Sequence, residues 1–384
     1  MMPEAAANGP LFDIDANLPR DWRAGKFLGR VDFGEGPCPV LVDNGVLYDM
    51  SRVAPTVSLL VEARVFDGSA GRPVGPLDKV LPGTARLLSP IDFQCVKACG
   101  VTFAVSAVER VIEERARGDA AAAQDFRHRL EDRIGGSIRS VVPGSPEAAS
   151  LKAALIDEGG WSQYLEVAIG PDAEVFTKAP VLSTVGWGEE IGVRSDSTWN
   201  NPEPEVVLLI TPDGEVIGAT LGNDVNLRDF EGRSALLLGK AKDNNASCSL
   251  GPLVRLFDGS FTIEDVRTAE LSLTITGADG YRLEGASSMR EISRDPIDLV
   301  RQTLSEHQYP DGFVLFLGTL FAPTQDRDEP GRGFTHKVGD TVTITSERLG
   351  TLSNRVVTSG DAAPWSVGIG ATLKALASRG LVRA

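Results

Sequence analysis

The chain has 384 residues, enough for two or three domains and a sizeable core. With 42 % apolar and 24 % charged residues, it excludes wholesale disorder, a collagen-like repeat and a coiled coil. Its formal net charge of −15 comes with no Lys/Arg cluster to meet a phosphate backbone, which excludes nucleic acid as a partner and disfavours an anionic membrane surface.

A small anion is still admitted where a cation or a local Arg/Lys group stands in the site. The four cysteines, Cys38, Cys95, Cys99 and Cys248, match no zinc spacing and are too few for a disulfide framework. They are expected to be reduced, mostly buried thiols. Residues 1–19 lack both a basic n-region and a long apolar run, and no stretch approaches the ~18 apolar residues of a membrane span. A cytoplasmic protein is the expectation.

In chain order, three segments emerge: 1–95, 96–160 and 161–384. The first is punctuated by Gly and Pro, with short apolar runs at 39–42 and 56–61, and reads as a small α/β or β-rich domain. In the second, Val105, Val108, Val111 and Ile112 fall at helical spacing with charges on the other face. Gly118 stops that helix. Asp119 is placed to cap a second one running towards Gly135, and Ser145-Pro146 opens a third that ends near Asp157. Beyond Trp161 the pattern is β, with runs at 164–169, 206–210, 216–220, 271–276, 313–317 and 342–345, before a last helix near 371–379. Helices first and strands afterwards predict an α+β fold whose C-terminal domain is dominated by β structure.

The chemistry concentrates in one hairpin. Two strand-like runs flank Pro212-Asp213-Gly214-Glu215, a strong turn signal. If Thr211 pairs with Val216, antiparallel register puts residue 203 opposite 224. Glu203 and Glu205, two apart, then share a face, and Asp224 joins them from the neighbouring strand. Pro204 lacks a ladder donor, which predicts a sheet edge here. Carboxylates this close either keep a proton or hold a cation, and a magnesium ion takes such oxygens while leaving positions for a keto acid. A solvated acidic turn is the alternative. Downstream, Lys240 and Lys242 are either bases near such an ion or ordinary solvated lysines.

Other signals carry less. His128, His307 and His336 are far apart in sequence, and His307 alone sits near the later Gly318-Thr319. The segment 186–192 has a misplaced third glycine for a dinucleotide loop. Trp161, Trp187 and Trp199 read as packing residues.

Taken together, Glu203, Glu205, Asp224 (within Asn223-Asp224-Val-Asn-Leu-Arg228-Asp229) and Lys242 resemble the signature of the fumarylacetoacetate hydrolase superfamily. So do Gly318-Thr319, Lys337-Val-Gly339-Asp340 and the following Leu349-Gly-Thr-Leu. The resemblance spans roughly residues 95–384. It implies a mixed β-sandwich roll with a smaller N-terminal domain, a helical lid over 96–160, and a homodimer or homotetramer. It also implies Mg²⁺ (or Mn²⁺) on Glu203, Glu205 and Asp224, with Glu174 as a fourth ligand or a nearby carboxylate.

One departure matters. Hydrolase members carry Tyr-x-x-His-x-x-Glu on the lid helix, and here the stretch is Phe103-Ala-Val-Ser106-Ala-Val-Glu109. Loss of the His argues against water activation for C–C hydrolysis. The runs 100–106, 161–170 and 239–251 resemble instead the family's sugar-acid branch, the 2-keto-3-deoxypentonate dehydratases. That implies a 2-keto-3-deoxy sugar acid as partner, Lys242 as base with Lys240 as rival, and Glu109 as acid. Ser106, Arg228, Thr319 and Lys240 would then contact substrate. The competing readings are a metal-dependent C–C hydrolase acting on a diketo acid and a non-catalytic sugar-acid-binding paralogue.

Overall fold

The computed structural model describes residues 12–123, 141–157, 159–330 and 332–382. Its centre is the strand Pro204–Ile210, buried at every position. Its apolar run Val206–Ile210 fits a strand covered on both faces. It pairs antiparallel with Val216–Asp224 on one side and with Phe313–Phe316 on the other. Beyond Val216–Asp224 come Cys248–Leu256, Phe27–Asp32, Pro37–Asp43, Val46–Asp49 and Arg72–Pro76, with Arg86–Leu88 beside Phe27–Asp32. Beyond Phe313–Phe316 come Cys95–Gly100 and Glu174–Ala179. The strands of residues 27–49 are thus continuous with the sheet that carries the hairpin.

Alternation along Pro204–Ile210 divides the core. Val206, Leu208 and Ile210 pack with Leu271, Leu273, Ile275, Val342 and Ile344, on a five-stranded sheet built from Arg282–Ser288, Glu270–Thr276, Thr341–Ser346, Gly350–Thr358 and Glu190–Val193. Val207 and Leu209 pack on the opposite side with Leu28, Leu41 and the helix Val57–Ala63. That helix has its first amides satisfied by the buried Asp92 carboxylate, at 2.6 Å from Val57 N and 2.9 Å from Ser58 N. The result is the α+β sandwich that the sequence predicts. No helix among the described residues is long and apolar enough to cross a membrane.

The helix Ala104–Arg115 lies across the sheet end that carries the acidic residues. Ala107, Val108, Val111 and Ile112 form its buried stripe, against Leu165, Ala168, Ile169 and Trp199. Ser145 caps the helix Pro146–Asp157 through its hydroxyl, which accepts from Ala148 N at 3.1 Å. Asp119 accepts from Ala121 N at 2.9 Å, as a cap should, but the expected run towards Gly135 passes into 124–140, outside the described residues, as does His128.

Two expectations need correction. Residues 164–169 are not a strand but part of the helix Gln163–Ile169, because Ser162 caps it through its hydroxyl on Tyr164 N. A buried apolar run of this length suits either state, and the cap decides it. Pro204 does not mark a sheet edge. It is the first residue of an interior strand, where a missing N–H costs little.

Candidate active site

The hairpin register is the one the site needs. Pro204 pairs with Asn223 and Glu205 with Gly222, while Asp224 N donates to Glu203 O at 3.0 Å. A bulge between Leu209 and Ile210 moves the turn-end pairing by one residue, so Ile210 rather than Thr211 faces Val216. Glu203, Glu205 and Asp224 all lie buried, and each offers an oxygen within 4.8 Å of the other two. They are the one such group of potential metal ligands among the described residues.

Each carboxylate is oriented by neighbours. Glu205 accepts from Gly318 N at 2.7 Å and from Thr319 Oγ1 at 3.3 Å. Gly318 has φ +104, and a Cβ there would lie 1.9 Å from Thr102 Oγ1, so this turn accepts only glycine. Glu203 is gripped through both oxygens: Lys242 Nζ holds Oε2, and Arg110 Nη2 reaches Oε1 at 2.6 Å. Asp224 lies between two ammonium groups, Lys242 at 3.0 Å and Lys178 at 2.9 Å. Lys178 is wholly buried and also donates to the backbone carbonyls of Val225 and Lys242.

Burial opposes ionisation throughout, and the nearby charges decide each outcome. Glu203 is nevertheless held at about 2, because Lys242 and Arg110 favour its anion. Glu205 is pushed far above the usual carboxylate range by burial and by the charges of Asp224 and Glu203. Burial raises Glu174 as well. Glu231, despite the nearby Arg110 guanidinium, is pushed by burial to about 7. Lys242 loses solvation, yet Asp224 and Glu203 keep its ammonium pKa above the ordinary lysine value.

A narrow cavity opens over these groups. It gathers most of the residues singled out in the sequence: Ser106, Glu109, Glu174, Glu203, Asp224, Arg228, Lys242 and Thr319. Glu174 stands outside the three-carboxylate group, folded over Gly100, where a Cβ would sit 2.0 Å from its Oε2. Ser106 donates to Thr319 O at 2.8 Å. Arg228 ion-pairs with Glu113 at 3.1 Å and donates to Pro323 O at 3.3 Å, and its Nη2 is a buried donor with no hydrogen-bond partner.

Lys240, named as a substrate contact or rival base, does not line the cavity. On the short helix Leu238–Lys242, residues two apart point to different sides, so Lys242 turns inward while Lys240 is exposed over the Phe230 ring at 4.9 Å. His307 is exposed, stacked on Tyr309. Sequence reasoning missed Lys178, Arg110, Glu113 and Glu231. A helical-wheel reading offered one signal: Ser106, Glu109, Arg110 and Glu113 share a face at spacings of three and four. Lys178, in a strand with no polar alternation, offered none.

The family model described as "Fumarylacetoacetate (FAA) hydrolase C-terminal" matches residues 169–357, the span that holds the hairpin, Lys242 and the Gly318-Thr319 turn. Those residues form a fumarylacetoacetate hydrolase family domain. Among curated relatives, the "Probable 2-keto-3-deoxyxylonate dehydratase" of Haloferax volcanii is 37 % identical over 195 residues, 51 % of this chain and 64 % of that protein. The 2-dehydro-3-deoxy-D-arabinonate dehydratase of Saccharolobus solfataricus is 31 % identical over 193 residues, 50 % of this chain and 61 % of that protein. The matches thus span somewhat under two thirds of either relative. A solved structure of 2-keto-3-deoxy-D-arabinonate dehydratase complexed with magnesium and 2,5-dioxopentanoate superposes with a TM-score of 0.61 at 21 % identity, covering 87 % of this chain and 99 % of that one. That likeness establishes the shared fold of the family domain and its surroundings.

Proposed function

We propose that the chain is a magnesium-dependent dehydratase that converts 2-keto-3-deoxy-D-xylonate to 2,5-dioxopentanoate. The observation that carries this is the convergence of Glu203, Glu205 and Asp224 within 4.8 Å, with Lys242 bridging two of them. Three hard, anionic oxygen donors suit a magnesium ion, and manganese fits the same set. A dication there supplies charge that polarises the substrate's keto group and offsets the carboxylates that keep Lys242 protonated.

Lys242, aimed into the cavity, takes the C3 proton. Glu109 on the overlying helix gives a proton to the C4 hydroxyl, which departs as water. Tautomerisation then turns C5 into the aldehyde. Arg228, with its unpartnered Nη2, and Ser106 hold substrate oxygens, while Thr319 fixes Glu205. Glu174 either supplies a further oxygen ligand or adds negative charge beside the ion. Ser106 stands where a hydrolase places its water-activating histidine, which disfavours C–C hydrolysis. The relatives' names support the dehydratase class. We also read the chain as a cytoplasmic homodimer or homotetramer serving oxidative breakdown of D-xylose.

The test is product analysis. Purified protein with Mg²⁺ is given D- and L-2-keto-3-deoxypentonates. One five-carbon aldehyde acid, abolished by EDTA, is the expected product. Two carbon fragments would establish a hydrolase, and no turnover with bound sugar acid would establish the silent paralogue.

A further inference from the structure

Four cations of the chain stand at this site, and they differ in access. The side chains of Lys178, Arg228 and Lys242 are 0 %, 1 % and 3 % exposed, whereas that of Arg110 is 11 % exposed. Arg110 also comes from a different element. It projects from the helix Ala104–Arg115, one residue past Glu109, and lines the cavity. Its Nη2 lies 2.6 Å from Glu203 Oε1, while Nη1 is anchored to Glu113 at 2.6 Å and Glu231 at 3.0 Å. The guanidinium is thereby held by one edge, with its other edge against a carboxylate of the three-acid group.

We propose that Arg110 is the residue that captures the carboxylate of the incoming keto acid. This rests on the reading above that the ligand is an anionic 2-keto acid seated on a divalent ion. An ion on Glu203 draws off the charge that holds Arg110 Nη2. A ligand carboxylate arriving at the same spot presents one oxygen to the ion and the other to that donor. Arginine suits the task because its fork is planar, permanently charged and pre-aimed by Glu113 and Glu231. Arg228 is more deeply enclosed, with Nε on Glu113 and Nη1 on Pro323 O, so its unpartnered Nη2 meets a ligand only after Arg110 does.

The probe is 2-oxobutanoate, a 2-keto acid with no C4 hydroxyl to lose, titrated calorimetrically into Mn²⁺-loaded protein. Mn²⁺ affinity is followed separately by electron paramagnetic resonance. Arg110→Met is expected to keep Mn²⁺ binding and to weaken 2-oxobutanoate at least tenfold. Arg110→Lys, which keeps the charge that pairs with Glu113 and Glu231, secures the test against misfolding. It is expected to recover part of that loss, since an ammonium keeps the charge but cannot stay on Glu113 and Glu231 and reach the ligand oxygen at once, as the two ends of the guanidinium do. Binding of 2-oxobutanoate within twofold of wild type in both variants overturns the proposal, as does a loss seen in Arg228→Met but not in Arg110→Met. Failure of the wild-type protein to bind Mn²⁺ or 2-oxobutanoate overturns this proposal together with the functional reading. Wild-type binding that the Arg110 variants leave unchanged overturns this one alone.

Discussion

Two knots of buried charge lie in this molecule, and their difference separates a working site from scaffolding. In the cavity, six lining acids (Glu109, Glu113, Glu174, Glu203, Asp224 and Glu231) face three lining cations, Arg110, Arg228 and Lys242. Near the five-stranded sheet, Arg327 grips Asp340 through both guanidinium nitrogens, at 2.5 and 2.7 Å, with His336 Nδ1 at 3.3 Å. Burial disfavours the Asp340 anion, yet Arg327 and His336 hold its carboxyl far below the usual range. That second knot pairs one buried acid with one guanidinium, Arg327 meets the part-exposed Asp279 as well at 3.5 Å, and the side chains of Arg327, Asp340 and His336 are each 1 % exposed. The first holds more acidic than basic groups, even with Lys178 counted, beneath an opening. Burial of charge therefore says little about function by itself. Unbalanced charge with a way in is what calls for a cation and an anionic ligand.

The sharpest way to break this contrast is to remove surplus charge. Glu203→Gln or Asp224→Asn is expected to weaken Mn²⁺ binding at least ~100-fold, measured by paramagnetic resonance, and to abolish turnover. Next, Lys242→Met should lower kcat by ~10³-fold, within the usual range for a lost proton-transfer group, while Mn²⁺ still binds. Near wild-type kcat in that variant would place the base elsewhere. Breaking the second knot should act on stability alone. Arg327→Met leaves Asp340 uncompensated and should cost about 3–5 kcal/mol in denaturant unfolding, with Mn²⁺ affinity unchanged.

Proton titration sharpens the same point. Burial lowers the folded-state pKa of His336 below its ordinary 6.5. The unfolded chain therefore binds that proton first, and stability falls as pH drops below about 6.5. Asp340, also depressed, adds a second loss as pH falls below its ordinary value of about 3.8. His336→Gln should flatten the first part of the stability profile, below about pH 6.5, and shrink the second, which then rests on Arg327 without the histidine. The smallest effect belongs to Lys240→Ala, expected to keep kcat within twofold because its ammonium lies on Phe230 outside the cavity.

Much of the site was legible because it is local. Glu203, Glu205 and Asp224 sit on one hairpin, so a turn and the period of a strand sufficed to bring them together. The apolar stripe of the helix Ala104–Arg115 and the Ser145 cap were readable for the same reason. What escaped depends on long-range pairing. Lys178 reaches Asp224 although Glu174–Ala179 stands four strands away from the one carrying Asp224, beyond Cys95–Gly100, Phe313–Phe316 and Pro204–Ile210, because the sheet curls to bring the two together. No spacing rule contains that neighbour. Lys240 and Lys242 could not be told apart by motif alone, since only the winding of a five-residue helix sends one in and the other out. Residues 164–169 misled because an apolar run has no period of its own, and the deciding signal was the serine before it.

Gly100 carries one last consequence. Unlike Gly318, it is not required for a left-handed turn. Its lack of a side chain instead leaves room for the Glu174 carboxylate, which the first carbon of any larger residue would push aside. Gly100→Ala should thus fold normally and displace the Glu174 carboxylate, lowering activity by about as much as Glu174→Gln does. Mutational intolerance there would come from room reserved for a neighbour's acid group rather than from anything the position does itself.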